Sequence, residues 1–255
     1  MAIDIFEKYI RNNFNEYAKS KNSYFKGIEE IFQKYRATIS TLFHPLILTS
    51  NEYKEVKYKS EKMASILERI PRIYQNNNDV ADFYDFPEPL NEWMFFDKGY
   101  LNNIPISRYD GFWDGEGYKF CEFNTDGSSG FNDMYHLDEA FLNTQIGQTL
   151  SHIFKLKKFN LPLSILTTLL QAYEEFDFKK NKNPNIAIVD YMEKGVIAEF
   201  LFLQEIFTSA GYNTKICDLR QLKIEKNRLY CDNFKIDIVY RRAVTDDILF
   251  YRNDS

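Results

Sequence analysis

The chain has 255 residues and a formal net charge of −5, and 44% of its residues are hydrophobic and 27% charged. This composition is ordinary for a globular protein and excludes disorder as the main state. The mild negative charge argues against a general nucleic-acid binder, which needs a basic face to neutralise phosphates. Three cysteines without CxxC spacing form neither a disulfide framework nor a tetrahedral zinc site.

Signals for export or membrane insertion are also not found in the sequence. The opening residues, MAIDIFEKYIRNNF, carry a charge every few positions, unlike a signal peptide. No stretch approaches the ~18 uninterrupted apolar residues of a membrane span. We therefore expect a cytoplasmic protein whose partners include neither nucleic acid nor membrane.

Residues 1–98 are predicted to form a helical N-terminal region. Apolar residues recur mostly three or four positions apart over 5–14 and again over 25–35, as a helix that buries one face requires. A third pattern of this kind runs over 51–70. The segment 76–89 is predicted to be a loop because Asn, Asp and Pro are frequent in it.

Residues 99–180 are predicted to hold a β-hairpin followed by helices. Six of the chain's ten glycines lie within 99–130, where a turn or a close backbone approach would require them. The tip DGEG (114–117) is a strong hairpin signal and joins two short aromatic-rich runs, ISRYDGFW and YKFCEFN. After a small-residue loop, TDGSSGFND, we predict one long helix over 134–154 and another over 162–176.

Residues 181–255 are predicted to form a small parallel α/β unit. A short apolar strand over 185–190 precedes a helix over 195–210 and a second strand over 213–218. This strand–helix–strand order favours a parallel sheet. A polar hairpin then leads to a third strand, IDIVYRRA. The predicted fold class is therefore mixed α+β and α/β, with a helical region, a hairpin-containing part and this unit.

Four polar side chains are predicted to share one face of the hairpin: Arg108, Asp110, Glu122 and Asn124. Alternate residues of a strand point to the same side. If the loop has three residues, or the hairpin carries one bulge, Asp110 lies opposite Glu122. Arg108 then lies opposite Asn124. A two-residue loop would instead set Asp110 against Cys121, which is otherwise expected to face the core, and would break the cluster.

The residue types of this cluster suit a metal–phosphate site. Two carboxylates and a carboxamide offer the hard oxygen ligands that Mg²⁺ takes together with bound phosphate. Arg108 would add a planar fork for a phosphate oxygen. The backbone amides of the following Gly/Ser loop could hold an anion or a substrate carboxylate. An ordinary surface hairpin with an Arg–Asp pair and a polar turn is the alternative interpretation.

The pattern R-x-D, then E-x-N-x-D before small residues, resembles that of glutathionylspermidine synthase and its relatives, the circularly permuted ATP-grasp proteins. Asp110 and Glu122 are twelve residues apart, as expected for that family. The unit with VDY and SAGYNTKICDL resembles the family's pre-ATP-grasp region, so the resemblance covers residues 100–245. It implies a ligase that joins a small-molecule or peptide carboxylate to an amine through an acylphosphate, with ATP and Mg²⁺ as cofactors.

The resemblance implies a role for each member of the cluster. Arg108 corresponds to a ligand of the ATP phosphates and is the residue expected to act in catalysis. Asp110, Glu122 and Asn124 correspond to Mg²⁺ ligands, and Asp110 also contacts the bound cofactor. In the family's permuted order, lysines, a further acidic ligand and the adenine pocket lie largely beyond this part. We therefore expect an N-terminal portion that is inactive without its C-terminal half.

The resemblance also implies substrate contacts outside the hairpin. Ser128 and Ser129 fall where the family contacts its peptide substrate, and Glu199 and Arg242 are further candidates. Gly127 stands where a substrate-binding serine is expected, so a side-chain contact is lost and glutathione itself is in question as substrate.

Three interpretations compete with these assignments. Glu193 is an alternative to Glu199. The protein could instead be a non-catalytic module whose Gly/Ser loop binds a small anionic or peptide ligand. It could also be a metal-dependent hydrolase with Asp110 and Glu122 as acid–base residues. His136 and His152 lie sixteen residues apart without metal-ligand spacing, which argues against the hydrolase.

Overall fold

The computed structural model describes residues 2–35, 40–114, 116–176 and 181–252, and its fold is a mixture of helix and sheet. The described residues form eleven α-helices: α1 (Ala2–Asn12), α2 (Phe14–Tyr35), α3 (Ser50–Leu67), α4 (Ile70–Asn76), α5 (Asn78–Tyr84), α6 (Leu90–Trp93), α7 (Phe131–Leu142), α8 (Gln145–Phe154), α9 (Leu161–Glu175), α10 (Ile197–Ser209) and α11 (Thr245–Tyr251). They also form eight strands: β1 (Arg108–Trp113), β2 (Tyr118–Asn124), β3 (Ile186–Asp190), β4 (Thr214–Asp218), β5 (Leu222–Glu225), β6 (Arg228–Cys231), β7 (Phe234–Ile236) and β8 (Ile238–Arg241).

The chain divides into two compact units. The first consists of Met1–Thr49, Asp126–Leu166 and Asn181–Ser255, and the second of Ser50–Thr125 and Thr167–Lys180. The units group residues differently from the three segments 1–98, 99–180 and 181–255. Helices α1 and α2 belong to the first unit, whereas α3 to α6 belong to the second with the hairpin.

Helices α1, α2, α7 and α8 build the helical core of the first unit. The buried members of this core include Phe6, Ile28, Phe141, Ile146 and Leu150. The predicted helix over 134–154 is in fact two helices. The break lies at Asn143–Thr144, because the Thr144 hydroxyl accepts the Gly147 N–H at 3.0 Å and caps the start of α8.

The parallel sheet of the first unit has the strand order β4–β3–β8. Ile186 on β3 pairs with Thr214 on one side and with Ile238 on the other, so the predicted parallel pairing of these strands is confirmed. All five residues of β3 are buried, which explains its uninterrupted apolar run. The predicted polar hairpin is a three-stranded antiparallel sheet, β5–β6–β7, whose Cys231 and Ile236 pack with Cys217 of β4.

Strands β1 and β2 form the antiparallel hairpin of the second unit. Near the tip Trp113 pairs with Tyr118, a register that would set Asp110 against Cys121 if it continued. A bulge at Cys121 shifts the pairing by one residue, and Asp110 pairs with Glu122 instead. The predicted register is therefore confirmed in the form that carries one bulge. Part of the predicted tip, residue 115, lies outside the described residues.

The bulge also corrects the prediction for Cys121. Because this residue is the extra one in β2 and has no partner on β1, its side chain leaves the regular alternation of the strand. Cys121 is exposed and does not belong to the core.

The hairpin face opposite the polar side chains is aromatic. The ring of Tyr109 lies 5.3 Å from that of Phe123 and 5.8 Å from that of Phe120. Tyr118 packs 5.2 Å from Phe120 and covers Gly111, where a Cβ would lie 2.5 Å from the tyrosine ring. Because of these contacts, a side chain larger than that of glycine does not fit at position 111. The polar residues lie on the other face of the hairpin.

Helix α3 positions the hairpin through the backbone of Tyr118. The Tyr118 N–H donates to Glu55 Oε1 at 3.2 Å, and Lys59 Nζ donates to the Tyr118 carbonyl oxygen at 2.8 Å. Glu55 and Lys59 also pair with each other at 2.7 Å, as residues one helical turn apart can. Helix α3 therefore holds the start of β2 through both the N–H and the carbonyl oxygen of Tyr118.

Candidate functional site

An arginine–aspartate pair occupies the polar face of the hairpin. Arg108 Nε donates to Asp110 Oδ1 at 2.8 Å, and Nη2 donates to Oδ2 at 3.0 Å. The two side chains are 42% and 36% exposed, so water screens the pair and it adds little to stability. Its two parallel hydrogen bonds fix the plane of the guanidinium group.

The facing strand supplies the other two members of the cluster. Glu122 lies opposite Asp110 and is exposed, and Asn124 lies opposite Arg108 and is half-buried. Directly opposite residues of an antiparallel pair have Cβ atoms about 5 Å apart on the same side of the sheet. The structure therefore brings all four predicted residues to one face. One guanidinium and two carboxylates give this face one surplus negative charge.

The donor set of this face suits a hard cation that keeps part of its shell in water or phosphate. Within residues 2–35, 40–114, 116–176 and 181–252, no group of three or more His, Cys, Asp and Glu side chains could hold a metal ion. The hairpin offers two carboxylates and one carboxamide, and Arg108 already binds both oxygens of Asp110. A Mg²⁺ ion here would share Asp110 with Arg108 and complete its shell with other oxygens.

The Gly/Ser loop, residues 126–130, lies in the first unit and is anchored at its start. Asp126 Oδ1 accepts from Arg241 Nη2 at 2.7 Å, and Oδ2 accepts from the Thr245 N–H at 2.7 Å. Gly127 and Gly130 both have positive φ, +59° and +95°. The loop therefore has a defined path that only glycine takes without strain at these two positions.

The predicted substrate-contact residues Glu199 and Arg242 lie against each other and against this loop. Arg242 Nη2 donates to Glu199 Oε1 at 2.7 Å, and the Gly130 N–H donates to Glu199 Oε2 at 3.1 Å. Arg242 Nη1 donates to the carbonyl oxygen of Ser128. The side chains of Arg242 and Glu199 are 4% and 1% exposed. The backbone amides of this loop are predicted to hold an anion or a substrate carboxylate. At Gly130, the residue that caps α7, the carboxylate bound is that of Glu199.

Burial changes the pKa of Glu199 more than the attraction of Arg242 does. Desolvation raises the pKa of Glu199 to about 7, although Arg242 and the N–H groups of Gly130 and Asn132 favour its charged form. The nearby Asp133 carboxylate also raises the pKa of Glu199 through like-charge repulsion. Glu199 therefore exchanges its proton near neutral pH, unlike an ordinary exposed glutamate.

Ser128 and Ser129 are both half-buried in the loop. Direct substrate contacts by these serines, and by Glu199 and Arg242, stay predictions. What the structure adds is that the two charged residues hold the backbone on which the serines lie. Local sequence patterns do not indicate this pairing, because Glu199 and Arg242 are 43 residues apart.

The carboxyl ends of the parallel strands carry further charged residues that sequence reasoning missed. Asp218, at the end of β4, accepts from Arg220 Nε at 2.8 Å and from the Met192 N–H at 3.2 Å. Arg220 also binds Glu193, the predicted alternative to Glu199, at 2.6 Å. Asp190 ends β3 and is buried, and burial raises its pKa. The available signal was an aspartate at the end of each of the two apolar runs that form β3 and β4.

His136 lies in a packed environment on α7. Its ring is 4.5 Å from that of Phe202 and 5.3 Å from that of Tyr35. Burial lowers the pKa of His136 to about 4, which keeps the imidazole neutral at physiological pH. His152, on α8, is exposed.

No protein-family model matches the chain, and a search of curated proteins also returns no match. Among the helices described, none is long and apolar enough to cross a membrane. What the protein does is therefore inferred from its own side chains.

Proposed function

We propose that this chain carries the metal- and phosphate-binding face of an ATP-dependent carboxylate–amine ligase that resembles glutathionylspermidine synthase. The observation that carries the proposal is the register of the hairpin. It brings Arg108, Asp110, Glu122 and Asn124 to one face, and the resemblance implies phosphate and Mg²⁺ ligands at these four positions.

The proposed reaction has two steps. A substrate carboxylate attacks the terminal phosphorus of ATP, which releases ADP and gives an acylphosphate. The amine then attacks the acyl carbon, phosphate leaves, and the amine nitrogen loses a proton to give the amide. Neither step needs a covalent bond to the protein, so the chain's task is to position groups and to stabilise charge.

Arg108 is suited to stabilise the phosphoryl group. Its guanidinium is always charged and matches two phosphate oxygens at once. Asp110 holds this guanidinium by two hydrogen bonds, which reduces the freedom that it would lose on binding a phosphate. Because Arg108 is only partly buried, it remains accessible to a nucleotide.

Asp110, Glu122 and Asn124 would hold the Mg²⁺ ion. Bound there, Mg²⁺ would neutralise charge on the phosphates during transfer. The surplus negative charge of the face attracts a cation first, and the filled face would then attract a polyanion. Two carboxylates and one amide leave positions on Mg²⁺ for phosphate oxygens and water, as this ion prefers.

A metal titration tests the site. Mn²⁺, a paramagnetic ion that takes the same oxygen ligands, should broaden the backbone amide signals of 108–110 and 122–124 before those of other segments. Added ATP should lower the Mn²⁺ concentration that is needed. Glu122→Gln should weaken this effect about tenfold or more, since a ligand charge is lost.

Glu116→Gln is the matched control, because it removes the same charge from the exposed tip of the same hairpin. It should leave the broadening unchanged. Equal behaviour of the Glu122 and Glu116 variants would contradict the metal site and, with it, the proposed ligase.

The reaction class is tested by assays of ADP release. ADP release that requires both a carboxylate and an amine, with glutathione and spermidine as the first probes, supports the ligase. ADP or phosphate release without an amine would favour a hydrolase. Ligand binding without any turnover would favour the binding module.

A further inference from the structure

The Glu199–Arg242 pair is the most completely buried charged group of the first unit among the described residues, and it connects three segments. Glu199 lies in the first turn of α10, Arg242 directly follows β8, and both contact the loop before α7. A buried ion pair is weak support for stability, because desolvation offsets most of the attraction. Its position at the loop suggests a different role.

Two of the three hydrogen bonds that link Glu199, Arg242 and the loop backbone depend on the charge of one carboxylate. Glu199 accepts from the Gly130 N–H through one oxygen and from Arg242 through the other. Arg242 in turn binds the carbonyl oxygen of Ser128. Since Gly130 and Ser128 flank Ser129, the pair hydrogen-bonds to the loop backbone on both sides of that serine.

We propose that Glu199 and Arg242 form a proton-controlled latch that holds residues 127–130 in place when Glu199 is ionised and loosens them when it is protonated. A protonated carboxyl group no longer attracts the guanidinium, and its hydrogen bond to Gly130 becomes a weaker neutral one. The latch does not depend on the proposed ligase chemistry.

The groups around the pair act on the protonation of Glu199 in opposite directions. Burial and Asp133 of α7 favour the protonated form of Glu199, while Arg242 and the N–H groups of Gly130 and Asn132 favour the charged form. On the far side, the Tyr240 hydroxyl of β8 accepts from Arg242 Nη1 at 3.2 Å. Asp190 of β3 also faces the arginine and interacts with Asp218 and Asp247.

Among the described residues, the Glu199–Arg242 pair leaves one donor of Arg242 without an acceptor. Its Nε is buried and has no hydrogen-bond acceptor within the part of the chain that the structure describes. A buried donor without an acceptor costs free energy, so the pairing with ionised Glu199 does not satisfy every donor of the guanidinium. When Glu199 is neutral, we expect Arg242 to move toward Asp190, the other carboxylate that attracts it electrostatically.

The amide signal of Gly130 in NMR spectra is the direct test. In the unmodified chain its chemical shift should change between pH 5.5 and 8.5 with a midpoint near 7, together with the carboxyl carbon of Glu199. Amide exchange at 127–130, corrected for the intrinsic pH effect, should be about tenfold faster in the protonated form. Glu199→Gln should abolish the Gly130 transition and leave exchange fast at every pH.

Two further variants separate the latch from general effects. Asp133→Asn removes a like charge and should lower the midpoint while the transition is kept; this result remains informative if Glu199→Gln does not fold. Glu205→Gln removes another α10 glutamate, which pairs with Lys34 rather than with the loop, and should leave the Gly130 transition unchanged. A Gly130 signal without a transition between pH 5.5 and 8.5, or one that persists in Glu199→Gln, would overturn the proposal.

Discussion

At Gly127 the loop leaves no room for a side chain. A Cβ at this position would lie 2.6 Å from the carbonyl oxygen of Arg242 and 2.7 Å from Cγ1 of Val244, and φ is +59°. The serine that the family resemblance leads one to expect here would therefore require the loop to move away from the residues after β8. The glycine reflects packing in this chain.

Gly127→Ala should lower the free energy of unfolding by about 2–3 kcal/mol, the sum of a left-handed backbone cost and a steric clash. Gly211→Ala is the control, since φ there is +95° but no heavy atom of the described residues lies within 4 Å of the added Cβ. It should show the backbone cost alone. Urea unfolding of both variants measures the difference, and equal losses would contradict the clash.

The pKa of Asp218 is lowered, whereas that of Glu199 is raised. The side chain of Asp218 is 11% exposed, but hydrogen bonds from Arg220, and then from backbone N–H groups, lower its pKa to about 2 despite desolvation. An acid with a lowered pKa stabilises the folded state above its unfolded pKa, near 4, and this contribution is lost as the pH falls through 2.

Asp218→Asn should therefore destabilise the protein by about 2 kcal/mol at pH 7, and the difference from the unmodified chain should shrink between pH 4 and 2. Urea unfolding at pH 7, 4 and 2.5 measures it. Asp232→Asn breaks a pair with Lys215 whose carboxylate is 71% exposed, so it should change stability little at any pH. A difference for Asp218→Asn that does not depend on pH would be inconsistent with the ion pair.

At the scale of elements, strand pairing decides which cysteines react. The bulge in β2 exposes Cys121, whereas β4 and β6 bury Cys217 and Cys231. Burial and the neighbouring Cys231 raise the pKa of the Cys217 thiol to about 12, which keeps it protonated and unreactive.

A thiol reagent such as Ellman's reagent should therefore modify one cysteine per chain in the native state and all three in denaturant. Cys121→Ser should remove the native reaction without altering the other two. Rapid native reaction of a second thiol, or none at all, would show that the hairpin register or the packing of β4 on β6 is wrong.

Elements with a strong local pattern could be predicted from the sequence. The hairpin had a turn signal and alternating residues, and its register needed only one bulge to bring Asp110 opposite Glu122. The strand–helix–strand unit had a continuous apolar strand and a change of period. In both places the information lies within a few dozen neighbouring residues.

Elements that depend on capping or on distant residues could not be predicted. The Asn, Asp and Pro residues of 76–89 predict a loop, but Asn77 caps the short helix α5 by accepting the Val80 N–H. The asparagines that indicated a loop therefore start a helix. The contact of Glu199 with Arg242, and the split of residues 1–98 between two units, arise from packing that local patterns do not record.

At the scale of the whole molecule, charge limits the ligands that the chain attracts. The net charge is −5, so a polyanion is repelled at long range unless its charge is reduced. On the polar face, Arg108 stands beside two carboxylates, and Lys119 at the other end of the hairpin pairs with Asp114. ATP without a metal therefore meets more negative than positive charge there.

We predict that the 255-residue chain binds Mg-ATP weakly, with a dissociation constant no lower than about 0.1 mM, and does not bind ATP in the presence of EDTA. An affinity of this size corresponds to only about −5.5 kcal/mol, which fits one half-exposed arginine and a shared Mg²⁺ ion in high-dielectric surroundings. Raising the salt from 20 to 150 mM NaCl should weaken binding further, because exposed charges are screened beyond about 8 Å. Isothermal titration under these three conditions measures the effect. Sub-micromolar affinity, or equal affinity with and without Mg²⁺, would mean that residues outside the hairpin face dominate nucleotide binding.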